Sequence, residues 1–305
     1  MQPPRQFSFF LLVLSVVLPF GGCEADSERA SGPISKEDVR TLSVSGLGVI
    51  EGSVTLTSGR WEGAPYAEGG ATRPSAWLIE DMIASGDVTG DGIDDAVVFV
   101  AESGGGSGSI VYLILVERDG KGVKNTATAS IGDRTQIRSA VIDQGVITLE
   151  LVQHSDVDPM CCSGDLVTRS WVWKDSLAER ESVVTGRLGP EVLEGETWRL
   201  LAWNSEEFLP DSIEITLTHS EGNFAGSAGC NRYFSAVTQS DIPGDIKVGI
   251  GGTTRMMCPP EIMIHEDRYL SILPKVTQMG FLNGRLYLGY LEDGAARILL
   301  FEQKS

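Results

Sequence analysis

The stretch Phe281-Leu282-Asn283-Gly284-Arg285-Leu286-Tyr287-Leu288 decides the fold class, because Asn-Gly between two apolar runs is the strongest short hairpin signal a sequence offers. The same pattern extends around it. Asp293-Gly294 precedes Ile298-Leu299-Leu300-Phe301, and Trp198 and Trp203 open the region. In Ile213-Glu214-Ile215-Thr216-Leu217-Thr218-His219 the odd positions are apolar until His219, the period of two expected for a strand with one buried face. One helix interrupts these strands. Pro259-Pro260 suit its first turn, Ile262, Tyr269, Leu270, Leu273 and Val276 fall on one helical face, and Pro274 limits it. On that helix Glu266 and Asp267 read as a solvated face rather than an acid–base pair.

Upstream, residues 36–176 also read as strands. Ala96-Val97-Val98-Phe99-Val100-Ala101 is a continuous apolar run, as in a strand buried on both faces. The loop Gly104-Gly105-Gly106-Ser107-Gly108 joins it to Ile110-Val111-Tyr112-Leu113-Ile114-Leu115-Val116. No Gly-Lys-Ser/Thr follows that loop, so it reads as a hairpin connection and not as a phosphate loop. Residues 136–142 and 146–152 flank a turn at Asp143-Gln144-Gly145, and Arg169-Ser170-Trp171-Val172-Trp173 closes the set. Residues 177–194, polar and interrupted by Gly186 and Gly189-Pro190, are expected to link the two regions. The fold expected is mainly β (α+β): two antiparallel β-sheet domains, 36–176 and 195–304, the second packed around one helix.

The chain begins with Arg5 and an apolar run from Phe7 to Phe20 of about 14 residues, short of the about 20 needed to span a bilayer. Phe20-Gly21-Gly22-Cys23 resembles a bacterial lipobox, which implies cleavage after residue 22 and acylation of Cys23. An ordinary secretory signal containing a cysteine is the competing reading, and either one exports the chain. Residues 23–35 are small, polar and charged, a flexible tether. In some Gram-negative bacteria an Asp after the lipidated cysteine retains the protein in the inner membrane. Glu24 stands there, so the expected location is a lipoprotein facing the periplasm with outer-membrane delivery.

Residues 1–22 contain one charged side chain, Arg5, so the mature chain is more negative still than the full chain's −18. Such an acidic balance argues against nucleic-acid binding and serves solubility. With Cys23 acylated, four cysteines remain, and an exported protein can pair them in three ways. Cys230 and Cys258 form the favoured pair, closing a loop whose cross-link stabilises by about 3.6 kcal/mol on a chain-entropy argument. Cys161 and Cys162 are adjacent, and whether they bridge each other or reach elsewhere stays open.

The best candidate for a ligand site is Asp87-Val88-Thr89-Gly90-Asp91-Gly92-Ile93-Asp94-Asp95. Asp87, Thr89, Asp91 and Asp95 place hard oxygens at the first, third, fifth and ninth positions expected of a calcium loop, with Gly92 at the turn. The twelfth position is Val98 where an EF-hand has Glu, so the loop looks more like the Asp-rich calcium loops of FG-GAP-type strands. A Gly/Asp turn built on Asx hydrogen bonds is the alternative. The histidines, His154, His219 and His265, have no zinc spacing to a cysteine pair or to one another.

Residues 195–304 resemble the META/HslJ domain family. The resemblance rests on Glu196-Thr197-Trp198-Arg199-Leu200, Gly226-Ser227-Ala228-Gly229-Cys230-Asn231-Arg232-Tyr233 and Thr253-Thr254-Arg255-Met256-Met257-Cys258, followed in order by the helix, Leu286-Tyr287-Leu288 and Leu300-Phe301. It implies a compact antiparallel sheet around one helix, with Cys230 facing Cys258. It also implies an association with envelope or heat-shock stress and antibiotic tolerance, without an established catalytic activity. Gly249-Ile250-Gly251-Gly252 departs from the regular strand expected there. Residues 36–176 look similar to a module of bacterial lipoproteins with no assigned activity, through Gly86 to Gly92, Gly105 to Gly108, Gly132-Asp133-Arg134 and Asp158-Pro159-Met160-Cys161-Cys162. The function expected is a non-enzymatic, lipid-anchored envelope protein that binds an envelope protein or a small ligand. The alternative is a calcium-dependent or thiol-dependent envelope enzyme.

Overall fold

Layering in the first half follows from strands that are apolar on both sides. The computed structural model describes Met1 and residues 32–304 apart from 121, 160 and 205. Contacts divide the chain into Met1–Gly32 and Pro33–Ser305, and both expected β modules lie in the second unit. The lipidation site expected at Cys23 lies outside the described residues.

A single turn of helix, α1 (Lys36–Val39), opens the second unit behind a capping box formed by Ser35 and Asp38. Strands β1 (Ser43–Ser45) and β2 (Ser53–Thr55) pair with each other. Then β3 (Arg60–Glu62), β4 (Ser75–Gly86), β5 (Asp95–Ser103), β6 (Ile110–Asp119) and β7 (Gly122–Asp133) form an antiparallel sheet in sequence order. A second meander follows: β8 (Gln136–Asp143), β9 (Val146–Gln153), β10 (Asp165–Trp173) and β11 (Leu177–Arg187). Ala96, Val98 and Val100 of β5 pack with Val39, Val44 and Leu56, while Val97, Phe99 and Ala101 pack with Ile147, Leu149 and Trp171. The continuous apolar run is therefore the middle layer of three, covered on both faces as expected.

Residues 177–194 differ from the linker expected of them. Residues 177–187 are β11, paired along β10, and Pro190–Leu193 is a 3-10 turn. The stretch is polar because β11 is an edge strand whose residues are mostly exposed.

The second half closes on itself. Its strands are β12 (Trp198–Trp203), β13 (Glu207–Phe208), β14 (Thr216–Ser220), β15 (Asn223–Ser227), β16 (Arg232–Gln239), β17 (Ile246–Val248), β18 (Gly252–Thr253), then helix α2 (Pro260–Ile272), and β19 (Val276–Leu282), β20 (Arg285–Glu292) and β21 (Ala295–Gln303). The order across the sheet is β17-β16-β15-β14-β12-β21-β20-β19, with β13 on β12 and β18 on β16. The two ends meet through an Asp245–Gln278 bridge and a bond from Met279 N–H to Gly244 C=O, so no long edge stays open. Trp198, Trp203, Phe224, Tyr233 and Phe301 fill the interior, to which α2 adds Tyr269 and Ile272. Asn283 and Gly284 both take positive φ between Leu282 and Arg285, the two-residue turn expected. The glycine-rich segment 249–252 breaks the strand between β17 and β18 for a steric reason: a Cβ on Gly251 would lie 2.1 Å from the Phe234 carbonyl oxygen.

The hairpin of β19 and β20 also docks the halves together. Phe281 N–H donates to Gln136 Oε1 at 2.7 Å, Gly284 N–H donates to Ile137 C=O at 3.0 Å, and the Arg138 guanidinium lies 5.3 Å from the Phe281 ring centre.

One buried carboxylate organises the first half. Glu102, 1% exposed at the end of β5, accepts from the N–H groups of Gly48, Val49 and Ile50 and from the Tyr112 hydroxyl. Burial, reinforced by that carboxylate, pushes the Tyr112 phenol up to about 12. Replacing Glu102 by Ala strands several amides, with an expected loss of about 2–4 kcal/mol in urea unfolding. In Glu102→Gln the Tyr112 phenol titrates lower than in the parent protein, still above its ordinary 10.0 because burial persists, as followed by phenolate absorbance.

Candidate functional site

The resemblance motifs converge on one side chain of α2. Glu266 is 3% exposed, not solvated as expected. Its Oε2 accepts from the backbone N–H of Cys230 at 3.0 Å and of Asn231 at 2.6 Å, and its Oε1 accepts from Asn231 Nδ2 at 2.7 Å. Three donors on one carboxylate account for its burial, which sequence position alone does not reveal. Its neighbour Asp267 is exposed.

Asn231 carries the connection to the second motif. Its Oδ1 accepts from Met256 N–H at 2.6 Å and from the Thr254 hydroxyl at 2.9 Å, while Nδ2 also donates to Met256 C=O at 3.1 Å. The Cys230–Cys258 disulfide closes the same loop, as expected. Behind it, Tyr233 donates to Thr216 C=O at 3.0 Å, which leaves Tyr269 to donate across the 2.7 Å contact to the Tyr233 oxygen. Burial drives both phenols well above their ordinary range. Held from below in this way, residues 253–258 present Met256 and Met257 outward at 58% and 95% exposure, and Phe234 on β16 is 61% exposed.

The Asp-rich loop connects β4 to β5. Asp87 accepts from Gly90 N–H and Gly92 N–H, Asp91 from Ile93 N–H, and buried Asp95 from Val88 N–H and Thr89 N–H at 2.9 Å each. These are the bonds of an Asx-built turn. Among the described residues no group of three His, Cys, Asp or Glu side chains is gathered as a metal site. Burial raises the Asp95 carboxyl despite its two amide donors.

The histidines lie on separate elements. His154 follows β9 beside the Pro159 carbonyl, His265 stacks on Trp203, and His219 continues the buried row of β14, its Nδ1 3.0 Å from Glu194 Oε2. The period-two pattern thus runs through His219 instead of ending there.

Cys161 and Cys162 bridge each other. The loop holding them is anchored by Asp158, which accepts from Ser155 N–H at 2.9 Å and Gly164 N–H at 3.0 Å and pairs with Arg187. Burial tends to raise its carboxyl, but the bonds from Ser155 and Arg187 outweigh that and hold it below the ordinary 3.8.

Two outcomes follow from these contacts. Glu266→Ala, which strands two amides of the Cys230 turn, lowers unfolding free energy by about 3 kcal/mol, whereas Asp267→Ala stays within about 0.5 kcal/mol in the same urea titration. Because the Asp158 carboxyl is depressed on folding, its contribution is complete above 3.8 and lost as pH falls through its lower folded value. Hydrogen exchange at the Ser155 amide should therefore stay slow down to that range and accelerate below it, and Asp158→Asn should remove the acid dependence.

Residues 191–305 match the model of the META domain. No curated protein matches the chain. Two solved structures are similar: an NMR structure of a protein from Burkholderia xenovorans, 25% identical, covering 41% of this chain and 95% of that one at a TM-score of 0.30, and a second NMR structure, 22% identical, covering 38% and 94% at 0.30. The C-terminal part of this chain, residues 191–305, thus carries the META domain that its Gly-Cys-Asn-Arg-Tyr and Thr-Arg-Met-Met-Cys motifs resemble.

Proposed function

We propose that the protein is a lipid-anchored envelope protein, tethered at Cys23 and facing the periplasm, whose META domain binds a partner protein in a role tied to envelope stress and performs no catalysis. The observation that carries this reading is the motif loop itself. Its polar groups Asn231, Thr254 and Glu266 are committed to one another, and what it turns outward is the apolar pair Met256 and Met257. Methionines on a loop pinned by a disulfide and a buried carboxylate suit protein recognition, because the side chains adapt while the backbone is already ordered. The lipobox-like sequence before Cys23 supports the anchor, and the META match supports the stress association.

Metabolic labelling with palmitate is expected to mark the protein and to vanish in Cys23→Ser. A photo-crosslinking residue at position 257, in the full-length protein in its own membrane, is expected to capture a discrete protein that the same residue at exposed Ile93 does not. No adduct at either position, or equal adducts at both, contradicts the binding role of this loop.

A further inference from the structure

We infer that Cys161–Cys162 is a thiol–disulfide exchange site, serving a protein dithiol that approaches the cleft between the two halves. The cleft, of about 190 Å³, is lined by the cysteine pair with Arg134, Gln136 and Ser163 on one side and Pro243, Gln278 and Tyr287 on the other.

The two disulfides of this chain do different work. Cys230–Cys258 closes a long loop and removes many conformations from the unfolded chain. A bond between neighbours closes almost no loop, so it adds little to stability by that route. Breaking it leaves the layered sheets and the closed barrel with their cores intact, since neither cysteine belongs to a hydrophobic core. Access completes the contrast. Cys161 is exposed at the cleft and Cys162 half-buried behind it. Attack therefore enters at Cys161.

Written out, a thiolate of the partner dithiol attacks Cys161 Sγ, and the Cys161–Cys162 bond breaks with its electron pair leaving on Cys162, which takes a proton. The partner's second thiolate then attacks its own sulfur in the mixed disulfide and expels Cys161 as thiolate, which is protonated in turn. Two electrons and two protons reach the cysteine pair, and the partner leaves as a disulfide. In each step the attacking sulfur is a thiolate, and the sulfur that leaves takes the electron pair.

The position of the pair couples its redox state to the META domain. Cys162 N–H donates to Pro159 C=O at 2.8 Å, and the loop then returns through Gly164, where a Cβ would lie 2.5 Å from the Pro243 ring. From there backbone bonds run in series, Leu188 N–H to Gly164 C=O, Gly244 N–H to Leu188 C=O and Met279 N–H to Gly244 C=O. Freeing the peptide between the two cysteines loosens the first member of that series.

The test uses the full-length folded protein, dithiothreitol as the model dithiol, and thiol alkylation read by peptide mass spectrometry. Cys161 and Cys162 are expected to open at least ten-fold faster than Cys230 and Cys258, to re-form with oxidised dithiothreitol, and to leave far-ultraviolet circular dichroism unchanged. Hydrogen exchange at the Gly164 and Leu188 amides is expected to rise at least five-fold in the reduced state. In single variants, Cys161 of Cys162→Ser should react with an aromatic disulfide faster than Cys162 of Cys161→Ser. Opening of both disulfides together, opening only in denaturant, alkylation before any reductant, unchanged amide exchange, or the reverse order of the single variants overturns the proposal.

Discussion

A carboxylate buried with three N–H donors holds the C-terminal half in register. Glu266 has to reach Cys230 and Asn231 from α2, so the helix can sit at only one height against the barrel. Asn231 then has both ends of its amide occupied and fixes Thr254 and Met256 in turn. Leaving any member unpaired exposes the others to the cost of burial without a partner, which is why such a network behaves as a unit. The disulfide between Cys230 and Cys258 adds a covalent closure to geometry already set by hydrogen bonds.

Glu102 plays a matching part in the N-terminal half, drawing residues 48–50 over the end of the middle sheet. In both halves an acidic side chain at the margin of an apolar core satisfies amides of a loop that lacks ladder partners of its own. The interior beside them is ordinary β packing. The docking contacts between halves come from Phe281 and Gly284 at the turn end of the β19–β20 hairpin, so the hairpin whose first strand closes the barrel also joins the modules.

Much of this was legible in the residues, for identifiable reasons. Asn283-Gly284, Gln144-Gly145 and Asp293-Gly294 announce two-residue turns because few residue pairs tolerate positive φ twice in succession. The run from Ala96 to Ala101 announces a covered strand because no exposed strand keeps six apolar side chains. Glu266 and Glu102 gave no such signal: a charged residue's partners are chosen by tertiary placement, and spacing alone cannot distinguish a solvated acid from one aimed at distant amides. The polar residues 177–187 resembled a linker because an edge strand and a linker have the same composition. The Asp87 loop carries both the spacing of a cation site and that of an Asx-built turn, and spacing does not set where each carboxylate points; the bonds seen run from the loop's own amides to Asp87, Asp91 and Asp95.

The open side of β11 has its own consequence. Eleven residues of unpaired ladder would ordinarily recruit a strand from a neighbouring molecule, a hazard that grows when copies are crowded together. Glu179, Arg180 and Glu181 along it, with a bulge where Ser170 and Trp171 pair, make an approaching strand desolvate ionic groups and follow a bend. The chain can thus be kept at high density without its sheets fusing edge to edge.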